Sequence, residues 1–240
     1  MRGAADRLSF VTAPTIRIEH IGAEQQPVIV IDDFVEDPGA LRAAAKALEY
    51  QTMGRHYPGL RAEVAAADVE AYLAPIQGLI AETFGFEGPS RVISAGYSIV
   101  TTKPADLTPI QRLPHFDGLE GERIALLHYL NGQEQGGTAF YRHRSTGFET
   151  ITAERHAAYD VALHREVAQR GLPAPTYISG DTALYERTAR FEAKPNRALI
   201  YRGHLLHCAD LPDDLDFTPD PKIARLTVNT FLFGTSLRGA

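Results

Sequence analysis

The 240-residue chain holds a single cysteine, Cys208. That excludes an intrachain disulfide and any cage of several thiolates around a metal, and it suits a reducing interior. Long apolar runs are missing too: no stretch approaches the roughly eighteen residues of a membrane span. The opening Met1-Arg2-Gly3-Ala4-Ala5-Asp6 lacks the apolar centre of a signal peptide. A cytoplasmic protein with no membrane partner is expected. Runs of like charge are absent as well, since 24 basic and 30 acidic residues give a net charge of −6 spread along the chain. Such a distribution argues against a nucleic-acid partner. With no repeats, low-complexity tracts or evident linkers, 1–240 reads as one domain.

What is present divides into two textures. Residues 27–90 begin with a β-branched run at 27–31, followed by Asp37-Pro38, an N-cap with proline at the first helical position. Leu41, Ala44, Ala45 and Leu48 then recur at helical spacing, as do Val69, Tyr72, Leu73, Ile76, Leu79, Ile80 and Phe84, with Pro75 placed to kink the second helix. Residues 91–233 turn to short β-rich runs at 92–101, 124–130, 138–141, 191–193, 198–201 and 223–233, the texture of a sandwich or barrel. Tyr129-Leu130-Asn131 and Gly136-Gly137-Thr138 bracket a short turn and predict a hairpin. A helical insertion at about 150–185, its helix closed by Gly171 with Pro173 beyond, is expected to lie over the barrel mouth.

The chemistry concentrates in His115-Phe116-Asp117 and in His207, about ninety residues later. Side chains at i and i+2 of an extended segment share one side, so His115 and Asp117 can present two ligands together. Two imidazoles and one carboxylate with open positions suit non-haem Fe(II). Taken singly, each has a plainer reading: a loop histidine, a turn aspartate before Gly118, a core histidine. In the run 223–233, Arg225, Thr227 and Asn229 alternate with Leu226, Val228 and Leu232. A guanidinium in such a strand needs a partner, and its fork suits a carboxylate, with the Thr227 hydroxyl as a further donor. His204 is a second candidate ligand, but three residues from His207 it falls on the opposite strand face.

In this order, His115, Asp117, Tyr129, Gly136-Gly137, His207 and Arg225 resemble the Fe(II)/2-oxoglutarate-dependent oxygenase superfamily, over roughly 92–233. The 27–50 segment resembles the leading part of prolyl-hydroxylase-like members, and the whole is most similar to a poorly characterised bacterial group. The resemblance implies a mainly β fold with flanking helices around a double-stranded β-helix (jelly-roll, cupin-like) core. It implies His115, Asp117 and His207 as metal ligands and catalytic centre, with Arg225, Thr227 and Tyr129 on the far carboxylate of 2-oxoglutarate. Tyr97 is added as a side chain that could face the cosubstrate. Fe(II), 2-oxoglutarate and O2 are then the cofactors. The reaction is hydroxylation of a C–H bond, with release of succinate and carbon dioxide, on a small molecule or a peptide or protein side chain. Asp117 is the carboxylate that superfamily halogenases replace with a small residue, so its presence favours oxygen insertion. A departure from the common pattern is the long loop between His207 and Arg225. The reading leaves a homodimer open. Two other functions compete: a zinc metallohydrolase using the same three ligands, and a non-catalytic jelly-roll binding module.

Overall fold

The computed structural model describes residues 13–54, 56–131 and 135–236. The opening hexapeptide and the middle of the 130–136 turn therefore lie outside the described residues. The architecture is mainly β, with antiparallel sheets and a few helices. The larger sheet has eight strands in the order β1 (Thr15–Ile21), β2 (Gln26–Asp32), β9 (Arg197–Arg202), β6 (Arg123–Tyr129), β11 (Leu226–Phe233), β5 (Arg91–Val100), β4 (Gly59–Val64) and β3 (Gln51–Thr52). The smaller has three: β10 (His207–Asp210), β7 (Gly137–His143) and β8 (Tyr185–Glu192). The segment carrying His115 bridges to β10 and extends the smaller sheet by one short rung. From β5 onward the pairings nest: β5 with β11, the His115 segment with β10, β6 with β9, and β7 with β8.

Alternation of side chains sorts the large sheet into two faces. Ile29, Ile31, Ile124, Leu126 and Ile200 point outward against α2 (Ala66–Leu73) and α3 (Gln77–Phe84). Each such fully buried aliphatic side chain stabilises by about 1.5–3 kcal/mol. Pro75 does break the second helix, in a 3-10 turn at Ala74–Ile76 between those two segments. Asp37 caps α1 (Pro38–Lys46) by accepting from Ala40 N at 2.9 Å, as its place before Pro38 leads one to expect. The inner residues Val28, Val30, Leu127, Tyr129, Leu199 and Tyr201 meet Phe140 and Phe191 of the small sheet.

Three expectations are corrected. The strands at 124–130 and 138–141 do not form a hairpin, because β6 lies in the large sheet and β7 in the small one. A chain crossing between sheets and a hairpin look alike in sequence, since both need a polar turn. The helix α4 (Ala153–Arg170) does not lie over the mouth: Tyr159 and Leu163 pack with Tyr141, Leu206 and Cys208 on the outer side of the small sheet. The chain after it reaches the mouth, where the Tyr177 hydroxyl donates to Thr102 O at 2.7 Å and its ring stacks on Phe217. Finally, the hairpin β1–β2 and the edge strands β3 and β4 exceed the strands read from the sequence.

Two polar fastenings hold the layers. Glu149, 2% exposed, accepts from Ala23 N and Glu24 N at 2.9 and 3.0 Å, while Glu24 accepts from Glu149 N, Thr150 Oγ1 and Arg155 Nη1. Asn196, in a left-handed turn at φ 60°, accepts through Oδ1 from Val35 N at 3.1 Å and from His128 Nε2 at 3.0 Å. It also donates through Nδ2 to Val35 O at 2.8 Å. Asn196→Ala leaves buried groups of Val35 and His128 unpaired and puts at φ 60° a residue that tolerates the left-handed region less well than asparagine. Urea unfolding is expected to register a loss of about 2–4 kcal/mol; a loss below about 1 kcal/mol would remove this turn from the interactions that hold the layers.

Candidate metal centre

His115 and His207 form a narrow antiparallel pair: His115 N donates to His207 O at 2.8 Å, and His207 N to His115 O at 2.9 Å. Directly opposed residues of this kind send their side chains to the same face, and the two rings lie with centroids 4.4 Å apart. Asp117, two residues on, returns to that face, with its N–H donating to Gly203 O at 2.7 Å. Its carboxylate then stands 3.7 Å from His115 Nε2 and 3.4 Å from His207 Nε2. One donor atom from each of the three lies within 4.8 Å of the others. The Nδ1 of His207 is 2.8 Å from Leu205 O. That carbonyl can only accept, so the proton sits on Nδ1 and the Nε2 lone pair turns toward Asp117.

Half of the His115 side chain, 48%, is open at the floor of the concavity, whereas Asp117 and His207 are 15% and 6% exposed. Desolvation, then the neighbouring His207, Arg61 and His56, hold the His115 imidazole well below its ordinary value. Desolvation also raises Asp117 above the usual aspartate range, against the opposing pull of His207, Arg61 and Arg123. Both shifts describe donors gathered with too little charge compensation, a deficit that a divalent cation between them would remove. The donor set fits such an ion: neutral imidazoles and a carboxylate, with no thiolate.

Arg225 stands immediately before β11 and is 4% exposed. One Nη2 bond, 2.9 Å to Gly137 O, holds it, and its guanidinium lies over the Tyr129 ring at 5.4 Å. The Nε is buried without a partner, and no carboxylate pairs with this cation among the described residues. A buried unpaired charge is costly, and the free Nε edge of this one could be satisfied by an anion. Gly137 itself is required by the approach of β8, since a β-carbon there would meet Phe191 O at 2.1 Å.

The remaining site residues of the sequence reading divide. Tyr129 is on the inner face, its hydroxyl 2.6 Å from Thr138 Oγ1; burial pushes the phenol upward in pKa, with Arg225 opposing. Thr227 is opposite Tyr129 in register, but its hydroxyl donates to Asn229 Oδ1 at 2.8 Å along its own strand. Tyr97 is corrected. It pairs with Val228 and packs with Leu226, Ile99 and Ala45 on the outer face beneath α1, because the strand's alternation gives the inward place to Ser98. His204 points away from the triad, into a polar cavity with Glu24, Thr150 and Arg155. The basic run Arg142-His143-Arg144 is matched by carboxylates: Arg142 pairs with Glu149 and Glu186, His143 with Glu166 and Arg144 with Asp181. Of the insertion tyrosines, Tyr159 and Tyr185 bond each other at 2.8 Å behind the small sheet. Only Tyr177 senses the charge of Arg225. The sequence reading missed Arg61 on β4, whose guanidinium lies over the Tyr57 ring at 4.2 Å. Six residues of β4 with one glycine and two charges offered little periodic signal.

No curated protein matches this chain in sequence. Among solved structures it is similar to the non-heme alpha ketoglutarate dependent carbocyclase SnoK from nogalamycin biosynthesis, at 14% identity and TM-score 0.49, over 88% of this chain and 81% of that one. HygX from Streptomyces hygroscopicus with iron bound gives 14% and 0.49, over 88% and 84%. AviO1 from Streptomyces viridochromogenes Tue57 gives 12% and 0.45, over the full length of both. Likenesses this distant decide nothing about activity. No helix among the described residues is long and apolar enough to cross a membrane. Residues 12–232 match the model of a family of unknown function, DUF6445, and the chain belongs to that family.

Proposed function

We propose that this protein is an Fe(II)- and 2-oxoglutarate-dependent oxygenase that hydroxylates a C–H bond. The nested strand pairing supports a double-stranded β-helix core, the arrangement in which the first strand pairs with the eighth and each next strand with the preceding one inward. The observation that carries the reading is the conjunction of a two-histidine, one-carboxylate cluster with a buried guanidinium that has no anion of its own. A metallohydrolase needs the first and has no use for the second.

On this reading His115, Asp117 and His207 hold Fe(II), which with 2-oxoglutarate and O2 supplies oxidative decarboxylation to succinate and the oxidising equivalent for hydroxylation. Leu205 O fixes the His207 ring so that Nε2 is the ligating atom. Arg225 takes the far carboxylate of the cosubstrate through its unpaired Nε edge, and the Tyr129 ring beneath it keeps water from competing. Asn229 orders the Thr227 hydroxyl and Thr138 the Tyr129 hydroxyl near that carboxylate. The 171–184 chain, held by Tyr177 to Thr102 and by Ser179 to Asp210, forms the rim through which the substrate reaches the iron.

Two predictions separate the parts. Calorimetric titration with Mn(II) is expected to lose more than about 100-fold in affinity on His207→Ala, beyond what outer partners of a metal site cost, and to change little on His204→Ala. Equal losses would move the ligand assignment. Arg225→Ala is expected to weaken 2-oxoglutarate binding to the Mn(II) protein by about 2–5 kcal/mol while Mn(II) affinity stays within a few-fold. Succinate formation that requires both Fe(II) and 2-oxoglutarate tests the activity itself, and its absence with intact binding of both returns the choice to a non-catalytic binding module.

A further inference from the structure

A second cation faces the same concavity. Arg61 lies on β4, and the register places it beside Ser98 of β5, then Thr227 of β11, then Tyr129 of β6, in one row across the inner face of the large sheet. Its Nε is buried without a hydrogen-bond partner, and no carboxylate pairs with it among the described residues. Glu63, two residues away, does not reach it. What Arg61 has is a ring, Tyr57, beneath its guanidinium at 4.2 Å. Stacking of this kind fixes the plane of the fork and leaves its hydrogen-bonding edges free.

Those edges open on a cavity of about 280 Å³ lined by Arg61, Ser98, Asn229, Phe231, Val64 and Met53. The cavity runs along the inner face away from Arg225: it begins at the row of Arg61 and Ser98 and continues through Gly96 and Asn229 to Ser94 and Phe231. Arg225 lies on the opposite side of this row, two residues before Thr227 on the same chain, and bonds Gly137 O of the small sheet. The cosubstrate's two carboxylates are accounted for by the metal and Arg225, so the second fork is left for a different molecule. Its wall is mixed, with a polar floor of Ser98 and Asn229, an apolar side of Val64, Met53 and Phe231, and the exposed Glu63 carboxylate at its outer margin, which Arg61 has to outweigh for an acid to bind.

We propose that Arg61 anchors a carboxylate of the substrate, so that the enzyme oxidises a small organic acid whose carbon skeleton lies in the cavity between β4, β5 and β11. The proposal rests on the oxygenase reading for the identity of the neighbouring centre. A carboxylate held in two-point contact by Arg61 presents the attached carbons along the cavity to Phe231, whose row continues through Ala125 to Tyr201, and the Tyr201 ring lies 4.9 Å from that of His207. The apolar side selects acids with a hydrocarbon portion, and the size of the cavity confines the part bound there to a small molecule or a single side chain.

The test uses the full chain loaded with Mn(II) and saturated with 2-oxoglutarate. The probes are straight-chain monocarboxylates of four to ten carbons, phenylacetate and phenylpropionate, each with its primary amide. Proton relaxation enhancement by Mn(II) reports both binding and distance from the metal. At least one acid is expected to bind ten-fold or more tightly than its amide and to relax most strongly at a carbon away from the carboxylate. Arg61→Gln is expected to abolish that ten-fold preference while 2-oxoglutarate affinity stays within about three-fold, and Arg61→Lys to restore part of it. Equal binding of acids and amides, or binding of neither, overturns the proposal. A loss of 2-oxoglutarate rather than acid binding in Arg61→Gln also overturns it, by making Arg61 the cosubstrate's anchor. Failure of wild-type Mn(II) protein to bind 2-oxoglutarate strikes instead at the oxygenase reading.

Discussion

Everything at the centre depends on two reciprocal main-chain hydrogen bonds, between His115 and His207. They set the imidazoles opposite each other from segments that are remote in sequence, and the strand period then delivers Asp117 to the same side. Because the peptide groups form the connection, the side chains remain free for chemistry. A one-residue slip of β10 against its neighbour would replace His207 by Cys208 and turn the second imidazole out of the concavity. The register is held from the other side by β7, where His207 faces Phe140 and Asp210 faces Gly137. Packing behind the small sheet and the composition of the metal site are therefore one constraint.

Charge supplies the second organising term. Most buried ionic groups here are matched: Arg197 with Asp32, Glu149 with Arg142, Arg190 with Asp210. Against that background Arg225 and Arg61 stand out, both stacked on tyrosines and both with a bare Nε. Aromatic rings shield a guanidinium and hold its plane without consuming its donors, so such residues keep their capacity for a visiting anion.

The legible part of the molecule was the part carried by short-range spacing. His115 and Asp117 could be placed on one side by counting to two, and His204 separated from His207 by counting to three. Asp37-Pro38 and Pro75 marked the start of α1 and the break between α2 and α3. The same alternation should have placed Tyr97 outward, but that needs Ser98 to be recognised as inward, and a buried serine carries no hydrophobic signal. Sheet membership was illegible for a different reason: β6 and β7 are joined by a polar turn like that of a hairpin, and only long-range pairing assigns them to separate layers. Arg61 was hidden because a β4 of six residues acquires its meaning from its cross-strand neighbours.

The two sheets differ in width. The large sheet extends beyond the small one on both flanks. On one flank the overhang of β1 and β2 is fastened down by Glu24 and Glu149, each accepting the other's backbone N–H. On the other flank β4 and β3 carry no such clasp to the small sheet among the described residues. The molecule is thus shaped like a book sewn along one edge, and its unsewn margin is the one that carries Arg61, the outermost unmatched cation of the large sheet's inner face.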